Sequence, residues 1–308
     1  MSDTIFKVNL PIVETDEELE KIKQMYSDYD PYFIVSGCCK ERRDKFDKLW
    51  KKYKPYADSK FLTQIKTYSP HKSYFHQGTW EMYVGNILLE KGFTIKSKDD
   101  GPDFVVKENL YIECVAPTMG DPSKLDSIPE MFIAQKPEDI CVQNVPVDKI
   151  ILRITQVIKE KALCQYEKWK TKSWFNSKSP FVIAINTGDL SHVEDPNMPN
   201  VLKALFGFQF MQINIKTKKT NFSYRSEIIK TNTMPVPVNY FVNQKFSFVS
   251  GVLFSNKNIL NHPENIGSDC IFVNNPFADN PVEKSFVELF KNWRSEKDDM
   301  VISLKKNY

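Results

Sequence analysis

The chain has 308 residues, 41% of them hydrophobic and 13% aromatic, which is enough for one large domain or two modest ones. A mean hydropathy of −0.42, with no stretch approaching roughly 18–20 uninterrupted apolar residues, argues against a membrane protein. The 42 basic and 39 acidic residues leave a net charge of only +3, so the chain is no polybasic nucleic-acid binder and any phosphate-binding surface must be a local patch.

The N-terminus lacks the basic start and apolar core of a secretory signal, and the six cysteines show neither metal-site nor disulfide-framework spacing. We therefore expect a cytoplasmic protein with free thiols.

Residues 1–70 are predicted to form an N-terminal helical extension. Thr15 and Glu18 make a capping-box pattern, which predicts a helix ending near residue 29. A second helix is predicted over 38–53, and it ends in the basic and aromatic run LWKKYKPY. That run is typical of a solvated amphipathic face, with a phosphate-contacting surface as the alternative.

Residues 71–187 have the clearest pattern. They predict, in order, a helix over 74–91 that Gly92 ends, strands at 93–97, 103–107 and 110–116, a helix over 147–171 and a buried strand at 181–186. Glu108 and Asn109 form the predicted turn between the second and third strands.

Residues 188–308 are predicted to extend the central sheet as a C-terminal segment rich in β-structure. The predicted elements are a loop at 188–200, strands at 221–229, 238–243, 246–254 and 269–273, and an amphipathic helix at 285–296. Residues 201–215 mix helix and strand signals and are left open.

Three acidic residues in 71–187 stand where apolar residues are expected. Glu81 lies on the flank of the buried helix face, where the alternative is an edge residue that reaches solvent. Asp103 follows a Gly-Pro turn and begins an apolar strand. Glu113 lies in the middle of LYIECVA, where an unpaired carboxylate costs several kcal/mol.

A divalent cation shared by Asp103 and Glu113 would compensate this cost, because carboxylates on adjacent antiparallel strands can converge on one ion. Hard oxygen ligands favour Mg²⁺ or Mn²⁺ over zinc. The alternative is an interaction module in which the acids form structural ion pairs.

A helix with Glu81, then Pro102-Asp103, then Glu113 in a hairpin, then a helix and a strand, resembles the PD-(D/E)xK (restriction-endonuclease-like) nuclease superfamily over about a third of the chain. The resemblance implies an α/β (α+β) protein with an αβββαβ core and a mixed central sheet. It further implies that Glu81, Asp103 and Glu113 bind the metal ion, with the backbone carbonyl of Cys114 as an added ligand.

The chain departs from the family motif at Val115, where a lysine usually stands. Some members of the superfamily carry this lysine on a neighbouring helix, and Lys161 lies within the apolar stripe of the 147–171 helix, with Gln165 one turn further on. The alternative is a packed stem whose ammonium reaches solvent. Arg153 is a weaker candidate for phosphate contact.

We therefore predict a metal-dependent nuclease acting on DNA or RNA, in which Lys161 and Gln165 join Asp103 and Glu113 in catalysis. The alternative is an inactive nuclease-like fold that binds nucleic acid or a protein partner. For residues 188–308 two roles stay open, shaping of the substrate groove or a homodimer contact. The sequence has no Walker loop and no Gly-x-Ser-x-Gly elbow. The four histidines show no ligand spacing: His71, His76, His192 and His262.

Overall fold

The computed structural model of the chain describes residues 4–6, 8–69, 73–97, 100–107, 109–131, 136–139, 141–190, 194–195, 197–298 and 301–307. The helices are α1 (Asp16–Met25), α2 (Pro31–Cys38), α3 (Lys40–Tyr53), α4 (Phe61–Gln64), α5 (Tyr74–Glu90), α6 (Val147–Lys159), α7 (Tyr166–Trp169), α8 (Asn200–Phe206) and α9 (Lys284–Val287). None of these helices is long and apolar enough to cross a lipid bilayer.

The strands are β1 (Ile95–Lys96), β2 (Phe104–Val106), β3 (Leu110–Val115), β4 (Phe181–Asn186), β5 (Phe208–Ile213), β6 (Thr220–Tyr224), β7 (Glu227–Ile229), β8 (Pro235–Pro237), β9 (Gly251–Ser255), β10 (Ile271–Asn274), β11 (Lys291–Asp298) and β12 (Val301–Asn307). Eight of them form one sheet in the order β1-β2-β3-β4-β9-β10-β11-β12. This sheet is mixed, because β3–β4, β4–β9 and β10–β11 pair in parallel and the other neighbours are antiparallel.

Helices cover both faces of the central strands. Alternation along β3 sends Ile112 and Cys114 into a core shared with α3 and α5, whereas Tyr111 and Val115 face a second core built with α6 and α8. Because both faces are covered, β3, β4 and β9 are buried along their whole length. Glu113 points to the same face of the sheet as Tyr111, toward α6.

The elements from α5 to β4 follow the predicted order of helix, three strands, helix and strand. Gly92 adopts a φ of 79° just after α5, as expected of a residue that ends a helix. The predicted 147–171 helix consists of α6, a π-helical turn at Glu160–Gln165 and α7. Asn109 lies in a turn between β2 and β3, whereas Glu108 lies outside the described residues.

The N-terminal helices differ in detail from their predictions. The Thr15 hydroxyl accepts a hydrogen bond from the backbone N–H of Glu18, which confirms the predicted start of α1. The helix ends at Met25 rather than near residue 29. A separate helix, α2, precedes α3, and the Asp30 side chain caps it by accepting hydrogen bonds from Tyr32 and Phe33.

Two predictions in the C-terminal segment are wrong, and a third is correct only in its second half. Residues 285–296 form the short α9 and most of β11 instead of one helix, because β11 finds backbone partners on both sides in β10 and β12. Residues 238–243 form an irregular turn, in which Phe241 is buried and its N–H donates to the Leu205 carbonyl. The predicted strand at 246–254 begins only at Gly251, after a short 3-10 turn at Gln244–Phe246. The open stretch divides into α8 and β5.

Candidate active site

The β2–β3 hairpin holds Asp103 and Glu113 side by side. Phe104 pairs with Ile112 in the antiparallel register, so the residues just outside this pair lie opposite each other. The Asp103 N–H donates to Glu113 Oε2 at 3.3 Å, and the Cys114 N–H donates to Asp103 Oδ2 at 2.7 Å. The two carboxylates are therefore fixed by the backbone of the strands that carry them.

Lys161 reaches this pair from the neighbouring helix. Its Nζ lies 2.8 Å from Glu113 Oε1 and 3.3 Å from Gln165 Oε1. Both side chains of the ion pair are largely buried, with 16% of Lys161 and 3% of Glu113 exposed. Lys161 and Gln165 lie in the π-helical turn, a local irregularity that is frequent at functional sites.

Glu81 enters the site from α5. The adjacent Trp80 donates its indole N–H to the Ala184 carbonyl of β4 at 2.9 Å, which fixes the helix on the sheet. The Tyr53 hydroxyl, fully buried at the end of α3, donates a hydrogen bond to Glu81 Oε1. Sequence analysis did not identify Tyr53, because its contact with Glu81 joins positions 28 residues apart and leaves no local pattern.

Burial and neighbouring charges shift the pKa values of the three acids. Burial, followed by the neighbouring Glu113 and Glu81 charges, raises the pKa of Asp103 well above its usual range. Burial raises the pKa of Glu81 to about 7, with Asp58 and Glu113 adding to the effect. Burial also raises the pKa of Glu113, although the Lys161 ammonium opposes this shift.

Lys161 remains the cation of the group. Burial lowers its pKa, but the Glu113 and Asp103 carboxylates together raise it above the ordinary lysine value. One ammonium cannot balance three carboxylates, so full ionisation leaves two uncompensated negative charges. Protons or a bound cation must supply the balance.

The acids line a cleft with two adjoining lobes of about 700 and 670 Å³. Six residues line both lobes: Asp58, Gln64, Glu81, Asp103, Glu160 and Gln165. Lys60 and Lys168 line the first lobe only, whereas Arg153 and Lys161 line the second only. Glu81 and Asp103 therefore lie where the two lobes meet, and Glu113 lines the second lobe.

Gln77 fixes the end of β3 beside the acids. Its side-chain NH₂ donates to the Cys114 carbonyl at 2.9 Å, and its side-chain oxygen accepts from the Ala116 N–H at 2.9 Å. These two hydrogen bonds take the place of those that a neighbouring strand would make. One lone pair of the Cys114 carbonyl remains for another partner. Sequence analysis did not identify Gln77, since nothing local marks it.

Arg153 lies in the wall of the second lobe. Its Nη1 donates to Gln156 Oε1 at 3.2 Å, and burial lowers the pKa of its guanidinium. The guanidinium lies against Gly120, which has a φ of 95° and where any Cβ would overlap it. The left-handed φ favours glycine at this position, and a Cβ there would displace the guanidinium.

The described histidines take no part in the acidic cluster. His76 Nε2 lies 2.8 Å from Asp189 Oδ1, and His262 Nδ1 lies 2.9 Å from Asp269 Oδ2. Asp189 therefore engages the ring of His76. His71 and His192 lie outside the described residues.

Within the part of the chain that the structure describes, no three His, Cys, Asp or Glu side chains are arranged so that they could hold a metal ion as they stand. Glu113 contacts Lys161 and Glu81 contacts Tyr53, so these oxygens face hydrogen-bond donors. The donor set of carboxylate oxygens and one carbonyl nevertheless fits the chemistry of Mg²⁺ or Mn²⁺.

Comparisons of the chain with protein-family models, with curated proteins and with solved structures gave no match.

Proposed function

We propose that the chain is a metal-dependent phosphodiesterase of the PD-(D/E)xK type that cleaves DNA or RNA. The observation that carries the proposal is the Lys161 ammonium 2.8 Å from Glu113 Oε1, in the second cleft lobe and beside Asp103, which lines both lobes. The Lys161 ammonium would take the role of the motif lysine, whose usual position is occupied by the apolar Val115.

The order of elements supports the same assignment. The segment α5-β1-β2-β3-α6-β4 has the αβββαβ order of the superfamily, with Glu81 on the helix and Asp103 and Glu113 on the hairpin. β3 and β4 pair in parallel, so the strand that carries Glu113 lies inside a mixed sheet.

Asp103, Glu113 and Glu81, with the free lone pair of the Cys114 carbonyl, would hold the metal ion. When bound, Mg²⁺ or Mn²⁺ polarises a phosphoryl oxygen and lowers the pKa of a coordinated water. Lys161 offsets negative charge that develops on the scissile phosphate, and Gln165 keeps the ammonium in place. Arg153 binds a phosphate in the second lobe.

The test is cleavage of circular single-stranded DNA, plasmid DNA and RNA in Mg²⁺ or Mn²⁺. We expect Asp103→Asn, Glu113→Gln and Lys161→Met each to lose activity at least 100-fold. The matched control is Lys159→Met, because Lys159 is exposed on the same helix. Activity that survives all three substitutions would refute the proposal.

Absence of cleavage with every substrate, with nucleic-acid binding retained, would instead support an inactive nuclease-like fold. Val115 at the motif lysine position is the observation that favours this second candidate.

A further inference from the structure

The β5–β6 hairpin forms a two-stranded sheet separate from the central one. Between positions 208 and 225 it contains three lysines, one arginine and no acidic residue. Its concentrated positive charge contrasts with the nearly balanced charge of the whole chain. A local basic patch of this kind is an electrostatic footprint for a polyanion.

Aromatic side chains lie exposed on one face of the hairpin. Phe222 and Tyr224 are two residues apart on β6 and so share a face, with 43% and 61% of their surfaces exposed. The buried Phe208 packs against both, with ring centroids 5.7 Å from Phe222 and 5.0 Å from Tyr224. The two exposed rings are therefore held in place before any ligand arrives.

The basic residues cluster at the tip. Asn214 Oδ1 accepts the N–H groups of Lys216 and Thr217, both at 3.0 Å, which fixes the turn. Lys216, Lys218 and Lys219 are exposed there, and in the described part of the chain none forms an ion pair. Their charges are available to an anionic partner.

The base of the hairpin is anchored on α6. Arg225 forms a bidentate ion pair with Asp148, at 3.0 and 2.5 Å, in the first turn of α6. Arg153 follows five residues later on the same helix, a rise of about 7.5 Å, and lines the second lobe. The hairpin is therefore anchored on the helix that also contributes Arg153 to the second lobe.

We propose that the β5–β6 hairpin is a binding arm for single-stranded nucleic acid. Unpaired bases stack on Phe222 and Tyr224, and the lysines at the tip contact the phosphates. Stacking on exposed rings requires free base faces, which a duplex buries in its own stack. The combination of rings with lysines therefore selects a single strand rather than a duplex or a simple polyanion.

The experiment measures binding of a labelled oligothymidylate to the full chain by fluorescence anisotropy in EDTA, where metal-dependent cleavage cannot occur. We expect Phe222→Leu with Tyr224→Leu to weaken binding at least about fivefold per ring. We expect the triple Lys→Gln variant at positions 216, 218 and 219 to lower the slope of log K against log salt by about 2. The matched control carries Lys→Gln at Lys40, Lys51 and Lys91, which are exposed on or beside other helices.

Unchanged affinity in the ring and tip variants would overturn the proposal. So would equal affinity for a duplex, or competition by polyglutamate as strong as that by unlabelled oligonucleotide. Circular dichroism establishes that each variant is folded. Because the readout is binding without metal, failure of the arm and failure of the proposed nuclease activity are distinguishable.

Discussion

Replacement of Lys161 by methionine tests the electrostatic balance of the site. Glu113 is 2% exposed, and the substitution removes the Lys161 Nζ that lies 2.8 Å from its carboxylate. Removing one partner of a buried ion pair costs about 3–5 kcal/mol. The lysine side chain keeps 16% of its surface exposed, so we expect a loss of about 2–4 kcal/mol near pH 8.

The loss of stability in Lys161→Met should become smaller as the pH falls. In the unfolded chain Glu113 ionises near its ordinary pKa of about 4.3. Burial raises this pKa in the folded protein, and loss of Lys161 raises it further. When a carboxyl has a higher pKa in the folded protein than in the unfolded chain, its protonated form stabilises the fold. This contribution is fully present below the pKa of the unfolded chain and is lost as the pH rises through the pKa of the folded protein. The free energy of unfolding that Lys161→Met loses should therefore be smaller near pH 5 than near pH 8.

The measurement is urea denaturation of wild type, Lys161→Met and Lys159→Met in EDTA at both pH values. The exposed Lys159 is the matched control, and its replacement should change the free energy of unfolding by less than about 0.5 kcal/mol. Equal losses in the two variants, or a Lys161→Met loss that does not change with pH, would refute the reasoning.

Three further substitutions test the supports of the site. Tyr53→Phe removes the hydroxyl that donates to Glu81, and urea denaturation near pH 8 should show a loss of about 1.5–3 kcal/mol; no loss would mean that the carboxylate does not depend on it. Gln77→Ala removes both hydrogen bonds at the end of β3, so hydrogen exchange at its last amides should accelerate, whereas unchanged protection would contradict this role. Gly120→Ala imposes a left-handed φ on alanine and displaces Arg153, so thermal denaturation should show a loss of about 1–3 kcal/mol, and wild-type stability would show that the loop adapts.

Local patterns located much of the site in the sequence. Strand alternation placed Glu113 on a buried face, and helical periodicity placed Lys161 on the apolar stripe of its helix. The structure brings the two within 2.8 Å. Their catalytic roles stay predictions, since proximity alone does not establish chemistry.

Contacts between residues that are far apart in the sequence leave no local pattern of this kind. The contacts of Tyr53 with Glu81 and of Gln77 with β3 depend on packing between separate elements, which a sequence window cannot detect. The same reason explains the error at 285–296. The apolar and polar residues there are spaced as in an amphipathic helix. However, β10 and β12 supply strand partners that the local sequence does not reveal.

The most direct test of the central claim is a crystal structure of the protein with bound Mn²⁺, located by anomalous scattering. The account predicts a peak about 2.1 Å from carboxylate oxygens of Asp103 and Glu113, with Glu81 oriented toward the ion. At saturating Mn²⁺, no peak in the cleft, with Glu113 still paired to Lys161 and Glu81 to Tyr53, would contradict it.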